Sequence, residues 1–166
     1  MALSNKYNEL LLTTGNKSEY TCGYATLYGD MCGGFAPLKD VYKTMVYKLA
    51  KWRNANIPLT SKLQKTSVIP PRSISKPPSA ELKPGQLDQD TLPPYNQLDK
   101  ILFELIENDL SVSEVVSKGF PKELVSYIAR LVKINEYKRR QSALGVKVST
   151  RMVSKDRRYP VTSHFL

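Results

Sequence analysis

The sequence predicts an α/β protein that becomes helix-rich toward its C-terminus. Three observations carry this expectation. Glu9-Leu10-Leu11-Leu12-Thr13-Thr14 is a short apolar run ending in threonines and Gly15, the pattern of a buried strand leaving a sheet. Asn16-Lys17-Ser18-Glu19 comes next as a helix start: Asn16 can cap free amides and Glu19, three residues on, can reach back. Beyond Pro94, apolar residues recur at helical spacing almost without interruption.

The remaining elements follow in order. Gly29-Asp30-Met31-Cys32-Gly33-Gly34 is a glycine-rich turn. Asp40 is placed as the cap of a second helix, whose stripe is Val41, Met45, Val46, Leu49 and Ala50, with Pro58 at its exit. Eight of the 11 prolines lie in residues 57–95, too dense for a long helix or an inner strand. Pro77-Pro78-Ser79-Ala80-Glu81-Leu82 and Leu92-Pro93-Pro94-Tyr95 give this loop apolar anchors, unlike polar filler. Pro94 opens a helix carrying Leu98, Ile101, Leu102, Leu105 and Ile106. Ser111-Val112-Ser113-Glu114 is a second capping box, opening a helix that Gly119 ends. Pro121 starts a longer helix with Leu124, Val125, Ile128, Leu131 and Val132, running into Asn135-Glu136-Tyr137-Lys138-Arg139-Arg140.

Composition narrows the classes. The chain has 166 residues, about one domain's worth, 41% of them apolar. No run approaches the ~18–20 apolar residues of a membrane span, so no membrane partner is expected. Met1 to Leu12 has no signal-peptide pattern. Two cysteines, Cys22 and Cys32, are too few for a disulfide scaffold or a four-ligand zinc site, and they read as buried small hydrophobes in a reducing, cytoplasmic setting. A lone His164, near the end, argues against Ser-His-Asp and Cys-His catalysis. The net charge is +10, and Lys133 to Leu166 holds nine Lys and Arg against two acids. That imbalance suits an anionic partner or a solvated helix face with a charged tail.

Thr13-Thr14-Gly15-Asn16-Lys17-Ser18-Glu19 puts a strand end, a glycine and a helix start in sequence. It reads either as a phosphate and Mg²⁺ site or as a plain capped helix after a strand. Lys43 on an amphipathic helix is a weak signal, and Ser79 in a proline loop carries none. Tyr137-Lys138-Arg139-Arg140 fits a phosphate or carboxylate grip, an RNA contact, or cations complementing a helix C-terminus. No aromatic strand motif or GXXG loop is present, which disfavours nucleic acid.

Taken together, Leu12 to Glu19, Gly23-Tyr24-Ala25-Thr26-Leu27-Tyr28-Gly29-Asp30-Met31 with Gly33-Gly34, and Lys76 to Leu82 resemble the synthetase domain of bacterial glutamine-dependent NAD synthetases. So do Asp88-Gln89-Asp90, Leu92 to Tyr95, Asn135 to Gln141 and Asp156-Arg157-Arg158-Tyr159-Pro160. The resemblance implies a Rossmann-like adenine nucleotide alpha-hydrolase fold, of which residues 1–166 are the helix-rich C-terminal portion. It implies ATP and Mg²⁺, with deamido-NAD amidated through an acyl-adenylate by glutamine-derived ammonia. It implies that Thr14, Lys43 and Ser79 contact ATP. Glu19 then meets Mg²⁺ and deamido-NAD, Lys138 contacts deamido-NAD, and residues 57–95 form a mobile loop over ATP. The family is commonly homodimeric.

The family's Ser-Gly-Gly-x-Asp-Ser phosphate loop is absent: the sole Gly-Gly is Gly33-Gly34, followed by Phe35-Ala36. The expectation is therefore an incomplete enzyme, inactive alone, with an exposed sheet edge. The alternatives are a non-catalytic partner docking on a polypeptide that carries the missing half, and a basic nucleic-acid module.

Overall fold

The computed structural model describes residues 1–79 and 84–162; Ala80, Glu81, Leu82 and His164 lie outside them. Eight α-helices are present among the described residues: α1 (Ala2–Tyr7), α2 (Lys17–Cys22), α3 (Lys43–Ala55), α4 (Pro71–Ser75), α5 (Tyr95–Ile106), α6 (Val112–Ser117), α7 (Lys122–Ile134) and α8 (Glu136–Gln141). One 3₁₀ turn, Asp88–Asp90, precedes α5. None of these helices is long and apolar enough to cross a membrane.

The helical half forms as its spacing predicts. α5 turns Leu98, Ile101, Leu102, Leu105 and Ile106 inward, each at most 6% exposed. They pack on Val115 of α6 and on Val125, Ile128 and Val132 of α7. Burying each such side chain is worth roughly 1.5–3 kcal/mol. Ser111 and Glu114 close the capping box at the start of α6. Asn135 separates α7 from α8 and donates to the Cys22 carbonyl at 2.8 Å. Gly23 ends α2 at φ 70°, and a Cβ there would sit 2.0 Å from the Asn135 side chain.

The sheet half departs from expectation. The described residues contain no named strand; three segments instead meet through single parallel bridges, Leu12 to Phe35 and Phe35 to Leu144. Thr13 N–H donates to the Phe35 carbonyl at 2.9 Å, and Ala36 N–H to Leu144 at 2.7 Å. The expected buried strand at Leu10–Leu12 is not buried: these leucines are 67%, 36% and 52% exposed. Phe35 pairs along one flank of this segment.

α3 forms, but its predicted stripe is not core. Met45 and Leu49 are each 45% exposed, and no residue of α3 is buried. Nor does Asp40 cap this helix. Its carboxylate instead accepts from the amides of Val148 and Ser149, both at 2.8 Å, and pairs with Lys17 at 3.0 Å. The cap comes from elsewhere in the chain. Lys43 N–H donates to Ser18 Oγ at 3.0 Å, and Thr44 N–H to the buried Asp99 of α5 at 2.9 Å.

Candidate functional site

The chain turns sharply between Thr13 and Lys17, and the capping box is what sets the turn. Glu19 N–H donates to Asn16 Oδ1 at 3.1 Å, and Asn16 N–H donates back to Glu19 Oε2 at 3.0 Å. Glu19 is thereby held with Oε1 facing the start of α3, where Lys43 Nζ meets it at 3.0 Å. Ser18, one residue earlier, donates to Asp99 at 2.5 Å and ties α2 to α5.

These elements wall a cleft of about 610 Å³, lined by all five residues singled out from sequence: Thr14, Glu19, Lys43, Ser79 and Lys138. They come from four separate stretches of chain, so their convergence is a tertiary fact. The Lys43 ammonium also lies 5.4 Å from the Tyr95 ring centroid and 5.9 Å from that of Tyr47, within cation–π range. Ser79 stands half-buried on the near limb of the proline loop.

Lys138 is placed differently from a free cationic contact. Its ammonium donates to the carbonyls of Gly23 and Ala25, at 2.7 and 2.8 Å. Burial lowers its pKa, with the nearby Asp30 carboxylate opposing. Lys138 thus fixes the turn after α2 as well as lining the cleft. The other cations of its run point away. Arg139 is buried, donating to the Thr21 carbonyl at 2.7 Å and pairing with Glu136 at 3.0 Å. Arg140 meets the same Glu136 at 2.7 Å. Lys147 pairs with Asp156 and Arg151 with Asp109. Several cations of the basic C-terminal third are thus paired within the chain.

Asp30 and Asp88 also line the cleft, and sequence reasoning assigned neither a role. Asp30 accepts from Thr26 N–H at 2.6 Å. Asp88 is buried and accepts from the Tyr95 hydroxyl at 2.6 Å. A carboxylate next to a glycine and a second one in a proline loop were the available signals.

No group of three or more His, Cys, Asp and Glu among the described residues could hold a metal alone. Mg²⁺ is commonly held by one or two carboxylates plus substrate phosphates, and Glu19 fits that limited part. Cys22 and Cys32 are free thiols, and burial pushes Cys22 up to about 12, so it stays protonated.

A glutamine-dependent NAD(+) synthetase from Cytophaga hutchinsonii superposes with TM-score 0.71 and 26% identity, covering 98% of this chain and 26% of that one. The NAD synthase family model matches residues 1–142, and the chain belongs to that family. Glutamine-dependent NAD(+) synthetases from Acinetobacter baylyi and Xanthomonas campestris pv. campestris are 57% and 54% identical over 98% and 99% of the chain. The chain spans 29% of the length of each.

Proposed function

We propose that this chain supplies one wall of an NAD synthetase site that activates a carboxylate with ATP. The observation that carries the reading is the convergence of Thr14, Glu19, Lys43 and Ser79 on one cleft. In the proposed reaction the carboxylate of deamido-NAD attacks the α-phosphorus of ATP and pyrophosphate leaves. Ammonia, derived from glutamine, then attacks the acyl carbon and AMP leaves, giving the amide of NAD.

The chain's own groups suit the first step. Lys43 can exchange Glu19 for phosphate oxygens, offsetting negative charge as pyrophosphate departs. Glu19, once released, offers a carboxylate oxygen to Mg²⁺, whose charge would further neutralise the phosphates. Thr14 and Ser79 provide hydroxyls that orient ATP. The proline loop, residues 57–95, is proposed as the cover that excludes water from the acyl-adenylate. Lys138, at the turn it holds, is proposed as the contact for deamido-NAD. The three bridged segments are proposed as part of a Rossmann-like parallel sheet continued by the portion of the relatives outside this chain. A homodimer and a cytoplasmic location are part of the same reading.

A second reading is favoured by a specific feature. The exposed flank of Leu10–Leu12 suits a further parallel strand, so a separate polypeptide carrying the rest of the enzyme can complete it. One experiment tests both. The chain is mixed with a polypeptide comprising the remainder of the Acinetobacter baylyi synthetase, and NAD formation is followed from deamido-NAD, ATP, Mg²⁺ and ammonia. The mixture should turn over and the chain alone should not. Glu19→Gln or Lys43→Met should cost about 10²–10³-fold in kcat, the scale of losing one charge-stabilising group. Full activity in both variants would sink the assignment.

A further inference from the structure

Tyr95 makes two contacts that link the proline loop to the cleft. Its ring is 6% exposed at the start of α5, and one face lies 5.4 Å from Lys43 Nζ. Its hydroxyl donates to Asp88 Oδ2 at 2.6 Å. Asp88 in turn is fixed through its backbone. Its N–H donates to the Pro78 carbonyl at 3.0 Å, directly before Ser79. Its own carbonyl accepts from Thr91 and Leu92, at 3.1 and 2.8 Å. The outgoing and returning limbs of the loop are therefore stitched together at Asp88, whose carboxylate meets the phenol of Tyr24 as well as that of Tyr95.

We propose that Tyr95 and Asp88 are positioning residues, whose hydrogen bond holds Ser79 at the cleft while the same tyrosine ring seats Lys43. The roles of Ser79 and Lys43 as ATP contacts rest on the reading above; the latch does not. Tyr95 makes the 2.6 Å bond to this buried carboxylate, and a buried carboxylate that loses such a donor moves toward the water of the cleft. Burial and the bond to Asp88 push the tyrosine pKa well up, so the hydroxyl remains a donor through the physiological range. The latch couples two elements that reach the cleft independently. Without it, α3 would still present Lys43, but the limb carrying Ser79 would lose a tie to α5.

The test reads the chain's own backbone by amide hydrogen exchange, with no nucleotide present. Four proteins are compared: wild type, Tyr95→Phe, Asp88→Ala and Asp88→Asn. Tyr95→Phe keeps the ring and removes only the bond. Tyr95→Phe and Asp88→Ala should each speed exchange at residues 88 and 92, whose amides bond to Pro78 and Asp88, by about tenfold, corrected for intrinsic rates. Amides of Leu102 and Ile128 should be unchanged. Asp88→Asn, whose side-chain carbonyl can still accept, should stay within about threefold of wild type. The proposal is overturned if Tyr95→Phe leaves residues 88 and 92 protected. It is equally overturned if α5 and α7 loosen to the same degree, or if Asp88→Asn behaves like Asp88→Ala. Failure here leaves the ATP reading standing. Failure of that reading in the NAD assay leaves the exchange pattern intact.

Discussion

α5 and α7 bury their inward stripes almost completely, with Leu98, Ile101, Ile106, Val125 and Ile128 all at 0% exposure. Across the molecule, Leu10, Leu12, Met45, Leu49 and Trp52 stand between 45% and 67% exposed. Both regions are apolar in sequence, so hydrophobicity does not separate them. What separates them is whether this chain contains the opposing surface. α5, α6 and α7 follow one another and cover one another. The Leu10–Leu12 segment and α3 leave apolar side chains exposed.

The sharpest test of this contrast is the buried charge cluster that ties the regions together. Lys17, 1% exposed, pairs with Asp40 and with Glu107 at the end of α5, and donates to Ser149 Oγ and the Arg151 carbonyl, at 2.6 and 2.7 Å. Burial opposes ionisation of Glu107, but hydrogen bonds from Lys17, Thr150 and Arg151 prevail and hold its pKa below the usual range. Lys17→Met would leave two carboxylates facing each other in a dry site. The expected loss is about 3–5 kcal/mol in urea unfolding, with part recovered in Lys17→Met/Glu107→Gln. A loss under about 1 kcal/mol would mean that water reaches the cluster.

The next largest effect separates the two apolar surfaces directly. Ile128→Ala should cost about 2–5 kcal/mol, since it opens a cavity among packed neighbours. Leu10→Ser should change stability by no more than about 0.5 kcal/mol, because its side chain is 67% exposed. The same substitution should reduce self-association in sedimentation velocity by removing part of an exposed apolar edge. If Leu10→Ser instead costs as much as Ile128→Ala, the N-terminal segment is covered in solution and the contrast fails.

How much of this was legible in the sequence follows the range of the interactions. Capping boxes at Asn16 and Ser111 are local, and both were readable. The α5 stripe was readable too, because helical periodicity reports burial when the partner helix is nearby. Asp40 was misread because the cap of α3 is supplied by Ser18 and by Asp99, 55 residues from Thr44. No local spacing rule sees that. The stretch Tyr137 to Arg140 looked like one basic patch, yet successive residues on a helix point about 100° apart. Lys138 therefore faces the cleft while Arg139 enters the interior. The candidate site was legible only through resemblance: local chemistry singled out the Thr13–Glu19 turn, but not that Lys43, Ser79 and Lys138 would meet it. Asp88 and Tyr95 stood within motifs that drew notice, but their contact is a loop closure that the pattern does not encode.

The smallest predicted effect concerns how the sheet side covers itself. There, Lys39 lays its stem beside Gly145, next to the Phe35–Leu144 bridge, and its ammonium donates to the Ala143 carbonyl at 2.7 Å. Burial lowers the Lys39 pKa from 10.5 to about 8, with the charge of Lys155 adding to the shift. The folded chain therefore binds fewer protons than the unfolded chain between about pH 8 and pH 10.5. Stability rises with pH wherever the unfolded state binds more protons, so the cost of burying this cation is fully present below pH 8 and is relieved above it. Lys39→Met has no such proton to lose. The difference in thermal midpoint, wild type minus Lys39→Met, should move in favour of wild type as pH rises from about 7.5 to about 10. A flat difference would show that the ammonium swings out to water, and that even this polar cover on the sheet side is looser than the packing of α5 on α7.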